Sequence, residues 1–208
     1  SLFKIKGHND SQWHVDGEIK SPKLNTFLPA INGNLITYFS IKGPLKNPII
    51  EFNNNIKHFK YNDLFSPLIT VNGRYVPFEN HTLNGKIKSN QINWLGMNFK
   101  DVFSDIEGDI NKQQIKLAWQ GDLNSQLTVN GLWNEQTNIW KTDITAAEIN
   151  YLTLKWVPNK TIVAQYNLNN KGISIDEHCW ENIGFNVCLT QDVSFSTKGD
   201  IPLRLTMN

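Results

Sequence analysis

The sequence predicts an all-β fold in the form of a long meandering sheet. Three observations carry that prediction: apolar and polar residues alternate with period two along most of the chain, turn clusters rich in Asn and Gly recur about every 8–14 residues, and a Gly-x-[Ile/Leu] unit returns at irregular spacing. Fixed blades would need a fixed repeat length, so a propeller does not fit.

Taken in order, Phe3 and Ile5 open an alternating run, and Trp13, Val15, Gly17 and Ile19 continue it against His14, Asp16 and Glu18. After Ser21-Pro22, Leu24, Phe27, Leu28 and Ile31 fall at i, i+3, i+4 and i+7, the spacing of one or two helical turns limited by Pro29 and closed by Asn32-Gly33. Residues 35–41 form a strand-sized uncharged run, and residues 61–68 read as an irregular connection. Ile115, Leu117 and Trp119 alternate with Lys116, Ala118 and Gln120, and Leu127, Val129 and Gly131 with Gln126, Thr128 and Asn130. Residues 145–149 fit a short helix or a strand. Further strands are expected at 152–156, 162–168, 173–175, 193–195 and 203–205. Seven glycines open the Gly-x-[Ile/Leu] unit: Gly17, Gly33, Gly43, Gly85, Gly108, Gly121 and Gly199. Such a recurrence is expected where glycine tolerates a left-handed or bulged backbone and the aliphatic residue re-enters the apolar face.

Composition narrows the function classes. With Lys+Arg 20 against Asp+Glu 19, the net charge of +1 leaves no electrostatic footprint for nucleic acid. No apolar run reaches the roughly 18–20 residues of a membrane helix. No secretory leader is visible, and the alternation reaching both ends marks the chain as an expected piece of a longer one.

The residues with reactive chemistry are few. Cys179 and Cys188, nine positions apart around an Asn/Gly turn, are read as a disulfide closing a hairpin, worth roughly 2–3 kcal/mol, ahead of two buried thiols. The five histidines are scattered without metal-ligand spacing, so neither a metal nor a cofactor is expected. Asp105, Glu107 and Asp109 share one strand face, and a solvated face explains them better than paired catalytic carboxylates. No hydrolase, nucleotide or dinucleotide signature is present, and an enzyme is not expected. Seven tryptophans, several in phase with aliphatic neighbours, read first as packing and second as platforms for sugar or linings for an apolar ligand.

The order of motifs is more specific. Ser21-Pro22, Asn32-Gly33 and Gly43-Pro44-Leu45-Lys46-Asn47-Pro48 lead into a strand, and His178-Cys179-Trp180 is followed by Val187-Cys188-Leu189 and then Gly199-Asp200-Ile201-Pro202. This order resembles the TamB family of AsmA-like proteins of Gram-negative bacteria. The resemblance implies a β-taco, an elongated sheet curled into a U around a continuous apolar groove, here spanning 1–208 as a single segment. It also implies a periplasmic location, with the parent protein anchored in the inner membrane. The implied partners are glycerophospholipid, the rest of the parent chain at both ends, and a TamA-like outer-membrane protein reached through regions outside this chain. The expected function is phospholipid transport between the two membranes, with a link to outer-membrane protein assembly.

Alternate apolar residues then line the expected groove: Ile115, Leu117, Trp119, Leu127, Val129, Leu152, Leu154, Trp156, Phe195, Leu203 and Leu205. Two rival readings remain open. A closed β-sandwich would bind carbohydrate through its tryptophans, and exposed sheet edges would template incoming outer-membrane strands.

Overall fold

A computed structural model describes residues 1–78, 81–195 and 205–207. Its regular structure is antiparallel strand plus one turn of 3-10 helix, Leu24–Thr26. The chain groups into two compact units, Ser1–Ile110 with Ala118–Asp122, and Asn111–Leu117 with Leu123–Asn208.

The first unit is a meander of β1 (Leu2–Asn9), β2 (Gln12–Ser21), β3 (Ile31–Pro44), β4 (Ile49–Tyr61), β5 (Leu64–Val76), β6 (Thr82–Trp94) and β7 (Met97–Gly108). Each strand pairs antiparallel with the next. The helical reading around Leu24 shrinks to its first turn. Leu24 is buried, whereas Phe27 and Leu28 are exposed, and β3 has already begun at Ile31 and continues past Asn32 and Gly33. Residues 61–68 are corrected more fully: they hold a tight turn at Asn62 and Asp63 between two long strands, with Asn62 in the left-handed region at φ 50°.

A line of backbone irregularities crosses these strands side by side. Gly33 in β3 (φ 140°) lies opposite His58 in β4 (φ 53°), where the register shifts between Asn32 and Asn34. His58 lies opposite Pro67 in β5, which has no N–H for the ladder, and Asp101 in β7 is also left-handed at φ 48°. Such insertions bend a strand and interrupt its alternation. The side facing inward at Ile56 and Ile69 is taken up across this line by Phe59 and Ser66, three residues on instead of two. That slip hides the strands at 61–68 from a period-two reading.

Buried serines stitch this crease. Ser89 donates to the Gln91 carbonyl at 2.8 Å, and the single proton of Ser66 has two acceptors in reach, Ser89 Oγ at 2.8 Å and the Leu68 carbonyl at 3.2 Å. Ser21, at the end of β2, makes the same bond to the carbonyl two residues on. Each hydroxyl reaches a carbonyl beside an interruption in the ladder, so buried backbone polar groups stay paired.

The second unit begins in β8 (Lys112–Gly121), whose residues are divided between the two units. It continues through β9 (Asn124–Asn134), β10 (Ile139–Tyr151), β11 (Leu154–Pro158), β12 (Ile162–Asn167), β13 (Gly172–Ile175), β14 (His178–Asn182), β15 (Phe185–Leu189), β16 (Val193–Phe195) and β17 (Leu205–Met207). β10 pairs with β9 along its length and forks on its other side. Its first half, from Ile139 to Ile144, pairs with β12, and its end, from Ile149 to Tyr151, pairs with β11. One branch runs on through β13 and β16, the other through β14, β15 and β17. The fork is made at residues 145–148, within the stretch 145–149 that fits helix or strand by sequence. It is strand with a bulge, its register shifting between Thr145 and Glu148 while Ala146 takes φ 49°.

Candidate functional site

Register fixes what shares a face, because successive side chains of a strand point to opposite sides. In the first unit Val15, Ile41, Ile50, Tyr75 and Leu83 lie side by side across five strands. Three residues along, Lys4, Glu18, Tyr38, Asn53, Asn72, Lys86 and Asp105 form a row of the other face. The second unit repeats the contrast. Trp133, Trp140, Tyr166 and Ile173 share one row and Val129, Ile144 and Ile162 another, while Leu132, Lys141, Gln165 and Ser174 occupy the opposite side. Each unit therefore carries one apolar and one polar face. Asp105 and Glu107 stand on the polar one, beside Lys86 and Asn84.

The apolar faces are poorly covered. Among the described residues the buried hydrophobic side chains are Leu24, Phe99, Ala147, Ile162 and Val193. Residues at the middle of the apolar faces, including Phe39, Phe52, Val71, Ile87, Val129 and Ile144, remain half-buried. Central inward positions of a sandwich are enclosed by the facing sheet. These are not.

The expected groove residues do not share one placement. Ile115, Leu117, Leu127, Val129 and Trp156 are half-buried strand residues of the second unit, and Leu127 and Val129 lie on its apolar face. Trp119, also half-buried, falls in the first unit, where it meets buried Phe99 edge to face at 6.2 Å between centroids. Leu152 is a correction as a strand residue: it occupies the turn between β10 and β11 at φ 55° and is 83% exposed, and the strand starts at Leu154, itself exposed. Leu203 lies outside the described residues. Phe195 and Leu205 are placed by backbone alone, opposite Ile173 and Leu189.

Cys179 and Cys188 form a disulfide directly across the β14–β15 hairpin. They alternate with His178 and Trp180, so the bridge staples the hairpin from the side opposite those rings. At the fork, a cleft lined by Ile144, Ala147, Val157 and Pro158 opens beside Glu148. The Glu148 carboxylate accepts from Asn150 Nδ2 at 2.7 Å and pairs with Lys155 Nζ at 2.6 Å, and the amide first and the ammonium second hold its pKa below the ordinary value. On the polar face of β2, the hydrogen bond between Glu18 and Lys20 at 2.8 Å lowers the acid and raises the base.

The apolar face of the first unit was the part that sequence reasoning missed. Its signal was present in the register of Phe39 against Phe52, but residues 35–41 are apolar on both faces and give no phase by themselves. The glycine unit needs two explanations. Gly33, Gly43, Gly108 and Gly121 have positive φ, as the turn or bulge reading requires. At Gly121 a side chain would also strike the Asn98 carbonyl. Gly17 and Gly85 instead sit within the ladders, and Gly199 lies outside the described residues. Among the described residues, no group of three or more His, Cys, Asp or Glu side chains is placed to hold a metal ion, and no helix is long and apolar enough to cross a membrane.

Comparison with known proteins gives one consistent family. A family model described as TamB, N-terminal domain, matches residues 2–208. The translocation and assembly module subunit TamB of Haemophilus influenzae is 22% identical over 211 residues, covering 98% of this chain and 16% of that protein. The chain thus spans about a sixth of the length of this curated relative. No solved structure matches.

Proposed function

The chain belongs to the TamB N-terminal domain family, and from that premise we propose that its one-sided sheets shield the acyl chains of glycerophospholipids in transit across the periplasm, as a non-catalytic part of a longer bridge between the inner and outer membranes. The observation that carries the reading is the apolar face whose central residues stay half-buried, with few hydrophobic side chains enclosed among the described residues. Burying a methylene gains about 0.8 kcal/mol, so a closed pocket around a whole acyl chain would hold it too tightly for rapid release. An open apolar surface avoids this: as the lipid slides, burial lost behind is replaced ahead, and the head group stays in water. The outer-membrane end, with a TamA-like partner, belongs to regions of the longer protein.

A second reading has its own observation. Strand β1 pairs with β2 on one side only among the described residues, and Leu2, Phe3 and Ile5 are exposed along it. An edge of this kind accepts another strand, which suits outer-membrane protein assembly. One experiment separates the two. A photoreactive residue at Leu117 or Val129 is expected to trap phospholipid in cells, and one at Lys4, on the polar face of edge strand β1, to trap none. Capture of outer-membrane protein segments at Lys4, with no lipid at Leu117 or Val129, would overturn the lipid reading in favour of the edge.

A further inference from the structure

Three large aromatic side chains on the apolar faces lie sideways over a glycine of the adjacent strand. A Cβ built on Gly17 would overlap the ring of Phe39, and one on Gly73 the ring of Phe52. A Cβ on Gly131 would lie 2.5 Å from Trp140 Nε1 and 2.9 Å from Gln113 Oε1, the acceptor to which that indole N–H donates at 2.8 Å. None of the three glycines has the positive φ that would demand glycine for the backbone. Glycine inside a strand weakens it, so space is what these positions supply.

The placement is ordered. Phe39 and Phe52 are cross-strand partners, yet each leans away from the other, Phe39 over Gly17 of β2 and Phe52 over Gly73 of β5. With Ile5, Gly85 and Ile106 they make one register row across seven strands. Six strand spacings of about 4.8 Å give that row a length of about 29 Å. Rings lying down on glycine leave a low apolar floor at right angles to the strands, along the direction in which a sliding acyl chain would travel.

We propose that Gly17 and Gly73 in the first unit, and Gly131 in the second, are clearance-setting residues of their own apolar faces: by accepting Phe39, Phe52 and Trp140 flat over them, they keep a lane open on each face for a single unbranched acyl chain. This rests on the lipid reading above. Alanine at any of the three lifts its ring into the lane, while the backbone conformation stays accessible to alanine.

Titration of the chain with cis-parinaric acid, a fluorescent unbranched fatty acid, tests it. Gly73→Ala is expected to weaken binding about tenfold, the usual effect of one misplaced methylene-sized group in an apolar site. Adding Phe52→Ala to that variant removes the lifted ring and restores binding to within about threefold of the parent, a coupling that a purely structural glycine would not show. Equal binding by parent and Gly73→Ala overturns the proposal, as does a double variant that stays weak. Should Gly73→Ala fail to fold, Phe52→Ala alone decides: it widens the lane and should raise binding of a bulky pyrene-labelled fatty acid relative to cis-parinaric acid, and an unchanged ratio overturns the proposal. A parent chain that binds neither probe removes the lipid reading itself, and the lane with it.

Discussion

Glu148 stands just past the bulge that forks β10, and its carboxylate joins the two strands of one branch through Asn150 and Lys155. Because these partners lower its pKa in the folded state, its contribution to stability is complete above the ordinary carboxylate pKa. It fades as pH falls through the depressed folded value. Carboxyl chemical shifts followed through an acid titration should place the Glu148 midpoint below that of a free glutamate. Glu148→Gln should lower stability near neutrality, leave it nearly unchanged in strong acid where Glu148 is protonated, and so flatten the acid limb of the stability curve; an unshifted midpoint would remove the pairing from the account. Nothing at this scale was visible in the sequence except the cysteine pair. A disulfide needs only two cysteines at hairpin spacing, whereas the Glu148 cluster depends on a bulge that brings positions 148, 150 and 155 together. Leu152 shows the same limit from the other side: an alternating apolar residue reads as strand until the turn that claims it is known.

Elements were legible where alternation ran unbroken and hidden where it slipped. The runs at 115–119 and 127–131 appear as β8 and β9, and the expected strand at 162–168 appears as β12. The strands flanking Asn62 and Asp63 went unread because His58 and Pro67 each insert a residue that flips the inward side. Those insertions also make the crease, so one physical feature both bends the sheet and defeats the period-two test. The buried serines keep it intact. Ser89 Oγ serves Ser66, the Gln91 carbonyl and the Gln91 N–H at once. Removing it with Ser89→Ala leaves buried partners unsatisfied and should cost about 1–3 kcal/mol in urea denaturation. Ser66→Ala in the same chain should add less than its separate cost, because the two hydroxyls share a bond. Full additivity would show that the stitches act independently.

For the molecule as a whole, the issue is whether its own side chains or a ligand cover the apolar faces. The family fold implied by the motifs near residues 21–48 and 178–189 agrees with the antiparallel all-β architecture and with the whole-chain family match. Periodicity can assign a residue to a face, but it is silent on what that face meets, because alternation is the same above a filled core and above a trough. Charge on the face distinguishes the two. Ile87 in the first unit and Val129 in the second are half-buried, and both lie on the apolar faces. In a packed core, glutamate at either position would be an unpaired buried charge, costing upward of about 3 kcal/mol. On a surface left open to water or lipid, its carboxylate can turn to solvent, and the cost should stay within about 1 kcal/mol. Ile87→Glu and Val129→Glu are therefore expected to keep the parent's denaturation midpoint nearly unchanged while abolishing fatty-acid uptake. Glutamate at Asn72, on the polar face beside Lys86, should disturb neither. Unfolding of both apolar-face variants would mean that protein already fills the space assigned to lipid.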